Sequence, residues 1–383
     1  MIDEKPDRND VVIGSRIRLA RNIADFPFVC TCSDDQRAEI ESAVRNGLAN
    51  DGQLSHLSFV DSVELDELER RFLMDLQLVH PATVNDPVRE NAELALPDTG
   101  EAGESAKSDL DVATLVSCEA ASLSINEEDH LRITVTRNDM NLQDAWHQIS
   151  ELDDRIEQQL GYAFSPRWGF LTACPANVGT GMRVSVLVHL PALAMTGQID
   201  KVFRSLQRIN VVARGVFGDN AVGDFFRISN QATLGISESE LIEQVTGVIP
   251  ALVKYEQEAR GFLIAENREG LRREVTTALE QICKWDLEDE SEESHEQVMT
   301  LLSKVRMGVG TGLLDNEDAN RVNQLFALVQ LRHRLQAAVV REDYRQASKL
   351  RDQIRCLEEG GWDHGRLDGK SVDETNLDEE GAG

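Results

Sequence analysis

Five arginines stand in or beside segments that read as β-strands. Arg16 and Arg18 lie in VVIGSRIRLARN, Arg132 in HLRITVT, Arg183 after the glycine-rich run 177–181, and Arg214 in VVARGVFG. Arg16 and Arg18 are two residues apart, so on an extended chain both side chains point to one side. A guanidinium is a planar, permanently charged fork that matches the oxygens of a phosphate. Several of them on one cleft would clamp a polyphosphate; taken singly, each also fits an ordinary surface arginine. In CPANVGTGMR, the residues Pro175, Gly179 and Gly181 mark a turn-rich loop whose backbone could approach a phosphate. The same pattern would serve a plain strand connection, and it lacks the spacing and Lys-Ser/Thr ending of a Walker A loop. Glu127 and Glu128 precede Arg132. They read as a solvated acidic turn, or as carboxylates that orient a cationic acceptor and take its proton.

The elements that must hold these residues follow from apolar spacing. A strand signal opens the stretch 11–28, and further strand signals fall at 112–125, 130–136, 210–217 and 224–229. Helical spacing marks 34–50 and 64–79. It continues at 141–160, through Leu142, Ala145, Ile149, Leu152, Ile156 and Leu160, and at 198–209. Residues 97–111 combine Pro, Gly, Ser and acid without apolar period and read as a surface loop. Helical patterns dominate from 237 onward. Strands grouped in the middle with helices around them predict an α+β fold with a mainly antiparallel sheet. The expected division is a catalytic domain over 1–254, a helical C-terminal domain over 255–330, a helical hairpin over 331–358 and an acidic, disordered tail over 359–383.

Composition narrows the function classes. The chain has 383 residues, 41% hydrophobic and 28% charged, with a formal net charge of −29. A nucleic-acid binder needs a basic face to displace counterions, so no nucleic-acid partner is expected. No apolar run approaches the ~18 residues of a membrane span. Residues 1–10 are too polar for a signal peptide, so a cytoplasmic location without membrane contact is expected. The six cysteines include no paired Cys-x-x-Cys motifs, which argues against a structural zinc. By composition alone Cys174 reads as a packing residue.

In order, SRIRLARN, NEEDHLRI, LTACPANVGTGMRVSVLVHLPAL, VARGVFG and ISNQATLG resemble the blocks of the ATP:guanido phosphotransferase family. The likeness covers about residues 9–330 and is nearest to its bacterial protein-arginine kinases. It implies a phosphagen-kinase catalytic domain with an eight-stranded antiparallel sheet flanked by helices, ahead of a helical C-terminal region. It implies transfer of the γ-phosphate of ATP to arginine side chains of proteins, in stress response and Clp-protease targeting, with Mg2+ carried by the nucleotide. The nucleotide would lie along Ser15, Arg16, Ile17 and Arg18; Gln77; Arg132; Arg183, Val184, Ser185, Val186 and Leu187; and Arg214, Gly215, Val216, Phe217, Gly218 and Asp219. Glu128 would match the catalytic carboxylate and Cys174 the thiol beside the acceptor guanidinium, where neighbouring cations favour a thiolate. Three positions depart from the family pattern. Asn220 stands where a second glutamate is expected, leaving Asp219 as the nearby carboxylate. Gln77 stands where a histidine is expected. Glu342 stands where an arginine would contact phosphoarginine. REDYRQASKLRDQIRCLE resembles the UVR motif of excision-repair proteins and Clp-type unfoldases, which implies a Clp-type or UVR-containing partner; a homodimer stays open. Two other functions fit the same blocks: a nucleotide-binding adaptor without turnover, acting through 331–358, and a kinase of a free guanidino compound.

Overall fold

The computed structural model describes residues 10–52, 58–61, 113–116, 121–215, 222–283 and 292–314. Gln77, the helical spacing at 64–79, the loop 97–111, Val216, Phe217, Gly218 and Asp219, and the stretch 331–358 lie outside the described residues.

Among the described residues, ten strands and six helices follow in chain order: β1 (Val12–Arg21), α1 (Asp34–Asn50), β2 (Ser58–Asp61), β3 (Ala113–Val116), β4 (Ala121–Ile125), β5 (Leu131–Arg137), α2 (Leu142–Leu160), β6 (Phe164–Ser165), β7 (Gly169–Phe170), β8 (Met182–His189), α3 (Pro191–Met195), α4 (Ile199–Gln207), β9 (Val211–Gly215), β10 (Phe225–Asn230), α5 (Glu238–Cys283) and α6 (Glu292–Gly310). Eight strands form one sheet in the order β2-β3-β4-β5-β1-β8-β10-β9, and every pairing is antiparallel. The sheet expected from the resemblance is therefore present. β6 and β7 make a separate small hairpin.

Alternation along the strands divides the sheet into two unlike faces. Ile17 and Leu19 of β1, Leu131, Ile133 and Val135 of β5, and Val184, Val186 and Val188 of β8 are buried on one face. They pack with Ile40, Val44 and Leu48 of α1, Ala145, Ile149 and Ile156 of α2, and Leu241, Val245 and Ile249 of α5 in one core. Helices α1 and α2 have local start signals. Ser33 and Gln36 make a reciprocal capping box at the start of α1. Asn141 caps α2, which ends at Gly161 with φ 64°. α5 is interrupted at Asn267, whose side chain accepts from the Gly270 amide at 2.9 Å and starts a second helical segment. No helix among the described residues is long and apolar enough to cross a membrane.

A buried ion pair sits inside this core. Arg21, at the end of β1, is 1% exposed. Its guanidinium meets Asp153 of α2 through Nη2 at 2.7 Å and Nε at 3.1 Å. It also donates to Thr180 O at 2.9 Å and lies 3.6 Å from the centroid of the Phe170 ring. Gly181, with φ 61°, is the residue that fits beneath it, because a Cβ there would meet Ala20 O and the Arg21 guanidinium. Removing one partner of such a pair leaves an uncompensated buried charge. Asp153→Ala is expected to lower unfolding free energy by about 3–5 kcal/mol in urea titrations, and adding Arg21→Met to recover part of the loss.

Candidate active site

The other sheet face carries the arginines. Directly paired residues of antiparallel strands project to the same side. Arg18 of β1 is opposite Arg183 of β8, and Arg132 of β5 is opposite Ala20 of β1. Arg16 is opposite Ser185, which is opposite Ser229 of β10. In the next row Arg227 of β10 lies between Leu187 of β8 and Arg214 of β9. The register thus collects Arg16, Arg18, Arg132, Arg183 and Arg214 on one face, together with Arg227, which the strand reading passed over. Ser15, Ile17, Val184 and Val186 alternate to the opposite face, so their backbone, not their side chains, borders the arginines. Ser185 and Leu187 lie on the arginine face, and Gly215, opposite Phe226, on the other.

Gathering these cations has an electrostatic consequence. Burial, then Arg132 and Arg183, pull the Arg18 pKa down to about 9, against the pull of Glu127 and Glu128. Burial and then Arg227, Arg18 and Arg132 move Arg16 the same way, well below the ordinary arginine range. Burial and then Arg214 lower Arg183. A guanidinium does not give up its proton in practice. The lowered values instead express the cost of burying these charges beside one another, which a bound polyanion would relieve.

Three consecutive acids do different work at one end of this face. Glu127 is buried and ion-paired with Arg132 Nη1. Its pKa is raised by burial, with Arg132, Arg18 and Arg16 pulling it back. Glu128 reaches Arg132 Nη2 at 3.1 Å but keeps 43% of its side chain exposed. It is the carboxylate of the pair that a diffusing acceptor can reach. Asp129 turns away: its Oδ1 accepts from Asn22 Nδ2 and from the Ala173 amide, both at 2.7 Å. Asn22 Nδ2 also donates to Leu171 O at 3.0 Å, and Asn22 Oδ1 accepts from the His130 amide at 2.9 Å. His130 Nδ1 accepts from the Ile23 amide at 2.9 Å, which leaves Nε2–H to donate to Pro27 O at 2.8 Å. Burial lowers the His130 pKa, in keeping with this neutral ring.

The Asn22–Asp129 clamp therefore ties the turn carrying Glu128 to the loop carrying Cys174. Thr172 Oγ1 donates to Cys174 O at 2.8 Å, and a short 3-10 turn, Pro175–Asn177, follows the cysteine. Thr233 fastens the far side of that loop, donating to Ala176 O at 2.9 Å and Val178 O at 2.8 Å. Gly179 has φ 116° and lies against the Thr233 carbonyl, leaving no room for a Cβ. Cys174 is a free, half-buried thiol, and Arg183 lies within electrostatic reach of both Cys174 and Glu128. Among the described residues no three His, Cys, Asp or Glu side chains gather as metal ligands.

A cationic sheet face that ends in an accessible carboxylate and a thiol has the chemistry to hold a polyphosphate beside a cationic acceptor. Residues 39–259 match the family described as ATP:guanido phosphotransferase, C-terminal catalytic domain. The chain belongs to this family. It is 34% identical over 330 residues to the protein-arginine kinase of Halothermothrix orenii, covering 86% of both chains. It is 32% identical over 367 residues to the protein-arginine kinase of Brevibacillus brevis, covering 94% of this chain and 95% of that one. The crystal structure of lombricine kinase shares the fold, with TM-score 0.53 and 24% identity over 65% of this chain and 67% of that chain.

Asp129 is a positioning residue in this arrangement. A displacement of ~1 Å at a reacting group can lower a rate about a hundredfold. Asp129→Ala is expected to reduce kcat by about 10- to 100-fold with little change in the KM for ATP. Asp129→Asn, which keeps the Oδ1 acceptor, should restore most of the rate in steady-state assays.

Proposed function

We propose that this chain transfers the γ-phosphate of ATP to arginine side chains of proteins. The observation that carries the reading is the juxtaposition, at the end of the arginine face, of the open Glu128 carboxylate and the Cys174 loop, braced by Asp129. The relatives named protein-arginine kinase support the choice of acceptor. The arginines would hold the triphosphate, and Mg2+ would arrive on its oxygens. A guanidinium nitrogen attacks the γ-phosphorus, an N–P bond forms, and the bond to the β–γ bridging oxygen breaks. ADP leaves with the electron pair. The proton displaced from the guanidinium passes to Glu128, since a neutral nitrogen is the better nucleophile. The arginine cluster stabilises charge on the transferring group in place, without reorganising. Cys174, as a thiolate, would hold the acceptor cation. Asp219 is assigned the second carboxylate contact that the family resemblance calls for. On the same reading, the UVR-like sequence at 331–358 would supply the contact for a Clp-type unfoldase or a UVR-containing partner.

The test is ATP-dependent, acid-labile phosphate on an unfolded arginine-containing protein. Wild type is expected to form it. Glu128→Gln should lower kcat at least ~100-fold while ATP binding, measured calorimetrically, stays within a few-fold. Binding of ATP without any phosphoarginine from wild type would defeat the reading in favour of an adaptor. Strong turnover of free arginine in preference to protein would defeat the choice of acceptor.

A further inference from the structure

Arg227 belongs to none of the residues that the sequence blocks assign to the nucleotide. In the sheet it lies on the arginine face, opposite Arg214 on one side and Leu187 on the other. Arg132, by contrast, is held by Glu127 and Glu128. No ion pair or hydrogen bond engages the Arg227 side chain among the described residues. It is nonetheless half-buried, and after burial it is the largest source of repulsion felt by Arg16. The backbone ladder fixes these positions, so the cluster cannot relax by moving its strands apart.

On β8 and β10 the residues between the arginines are small. Ser185 and Ser229 face each other, with Arg16 beside Ser185, in the row between Arg18–Arg183 and Arg227–Arg214. The two arginine rows are separated by about 13 Å of strand, four residues at ~3.3 Å each. Arginine side chains converge over such a low floor from both ends, and a multivalent anion lying along it would touch both rows. An unpaired, half-buried guanidinium on a face shared with other arginines is destabilising until an anion meets it.

We propose that Arg227 is a further phosphate-binding arginine, gripping the phosphate chain of the nucleotide from β10 together with Arg16 and Arg214. The inference rests on the nucleotide-dependent reading above, but its test needs no phosphoryl transfer. ATP and ADP binding to the full chain would be measured by calorimetry for wild type, Arg227→Gln and Arg227→Lys, with thermal unfolding recorded with and without nucleotide. Arg227→Gln is expected to weaken nucleotide binding about tenfold or more, from loss of a charge-assisted contact. Arg227→Lys, which keeps the charge but not the fork, should fall between. Without nucleotide, Arg227→Gln should unfold at the wild-type temperature or higher, because a repulsive charge is gone, while its stabilisation by ATP shrinks. Nucleotide affinity within twofold of wild type in both variants would overturn the proposal. So would a lowered melting temperature of the free protein with unchanged ATP affinity, which would make Arg227 a structural residue. Absence of phosphoarginine with nucleotide binding still dependent on Arg227 would refute the acceptor and leave this assignment standing.

Discussion

The last residues of β1 and the two that follow decide where everything else in the site can be. Arg21 points into the core, meets Asp153 and holds the Thr180 carbonyl. Asn22, one residue on, reaches Asp129, Leu171 and His130. Ile23 uses its amide on His130. Three loops, at 126–130, 170–174 and 178–181, are thus fastened to one short stretch of backbone. Glu128, Cys174 and Arg183 each lie in or just beyond one of those loops. A buried arginine is an expensive way to hold a loop if its charge is unmatched. Here the carboxylate, a carbonyl and an aromatic face share it, which makes the junction directional as well as strong.

The two faces of the sheet solve opposite problems with the same alternation. On one face the alternate residues are mostly aliphatic and the helices cover it. On the other, the same period sets guanidinium against guanidinium, and serines and threonines take the positions between them. Glu127 is the deep counter-charge, its own ionisation made harder by burial. It tempers the repulsion without removing it, so the face remains attractive to an anion. This local field sits in a protein of net charge −29. The acidic remainder repels stray polyanions from the general surface, while the cleft concentrates them.

Much of this was legible in the residues. Arg16 and Arg18 announce a shared face because they are two apart on a strand pattern, and the stripe of α2 at Ala145, Ile149 and Ile156 reads directly as a buried helix side. What escaped depends on register and burial, which are properties of pairs of distant segments. Arg227 sits in FFRISN, where an arginine between Phe226 and Ile228 looks like an ordinary outward position; only its pairing with Arg214 and Leu187 shows the company it keeps. Asp129 looks like the third member of a solvated acidic turn, and nothing local says that it faces Asn22, more than a hundred residues earlier. Glu127 and Glu128 are chemically identical in sequence. They part only because one is shut in by Arg132 and the other is left half open. Within the run Ser15 to Arg18 the alternation separates two parts: the arginine side chains reach this face, while Ser15 and Ile17 turn theirs to the core side and offer it backbone.

The central position of β1 has a consequence for how the molecule comes to exist. Its neighbours in the sheet are β5 and β8, which follow it by more than a hundred residues. Such distant pairing makes folding slow, because a long loop must close before any ladder bond rewards it. Until then the arginine-bearing strand has two unpaired edges, and an exposed edge invites pairing with other chains. Its own alternating positive charges oppose that, since two copies laid side by side would set guanidinium against guanidinium. The residues that make the finished face ready for phosphate therefore also guard the unfinished chain against sticking to itself.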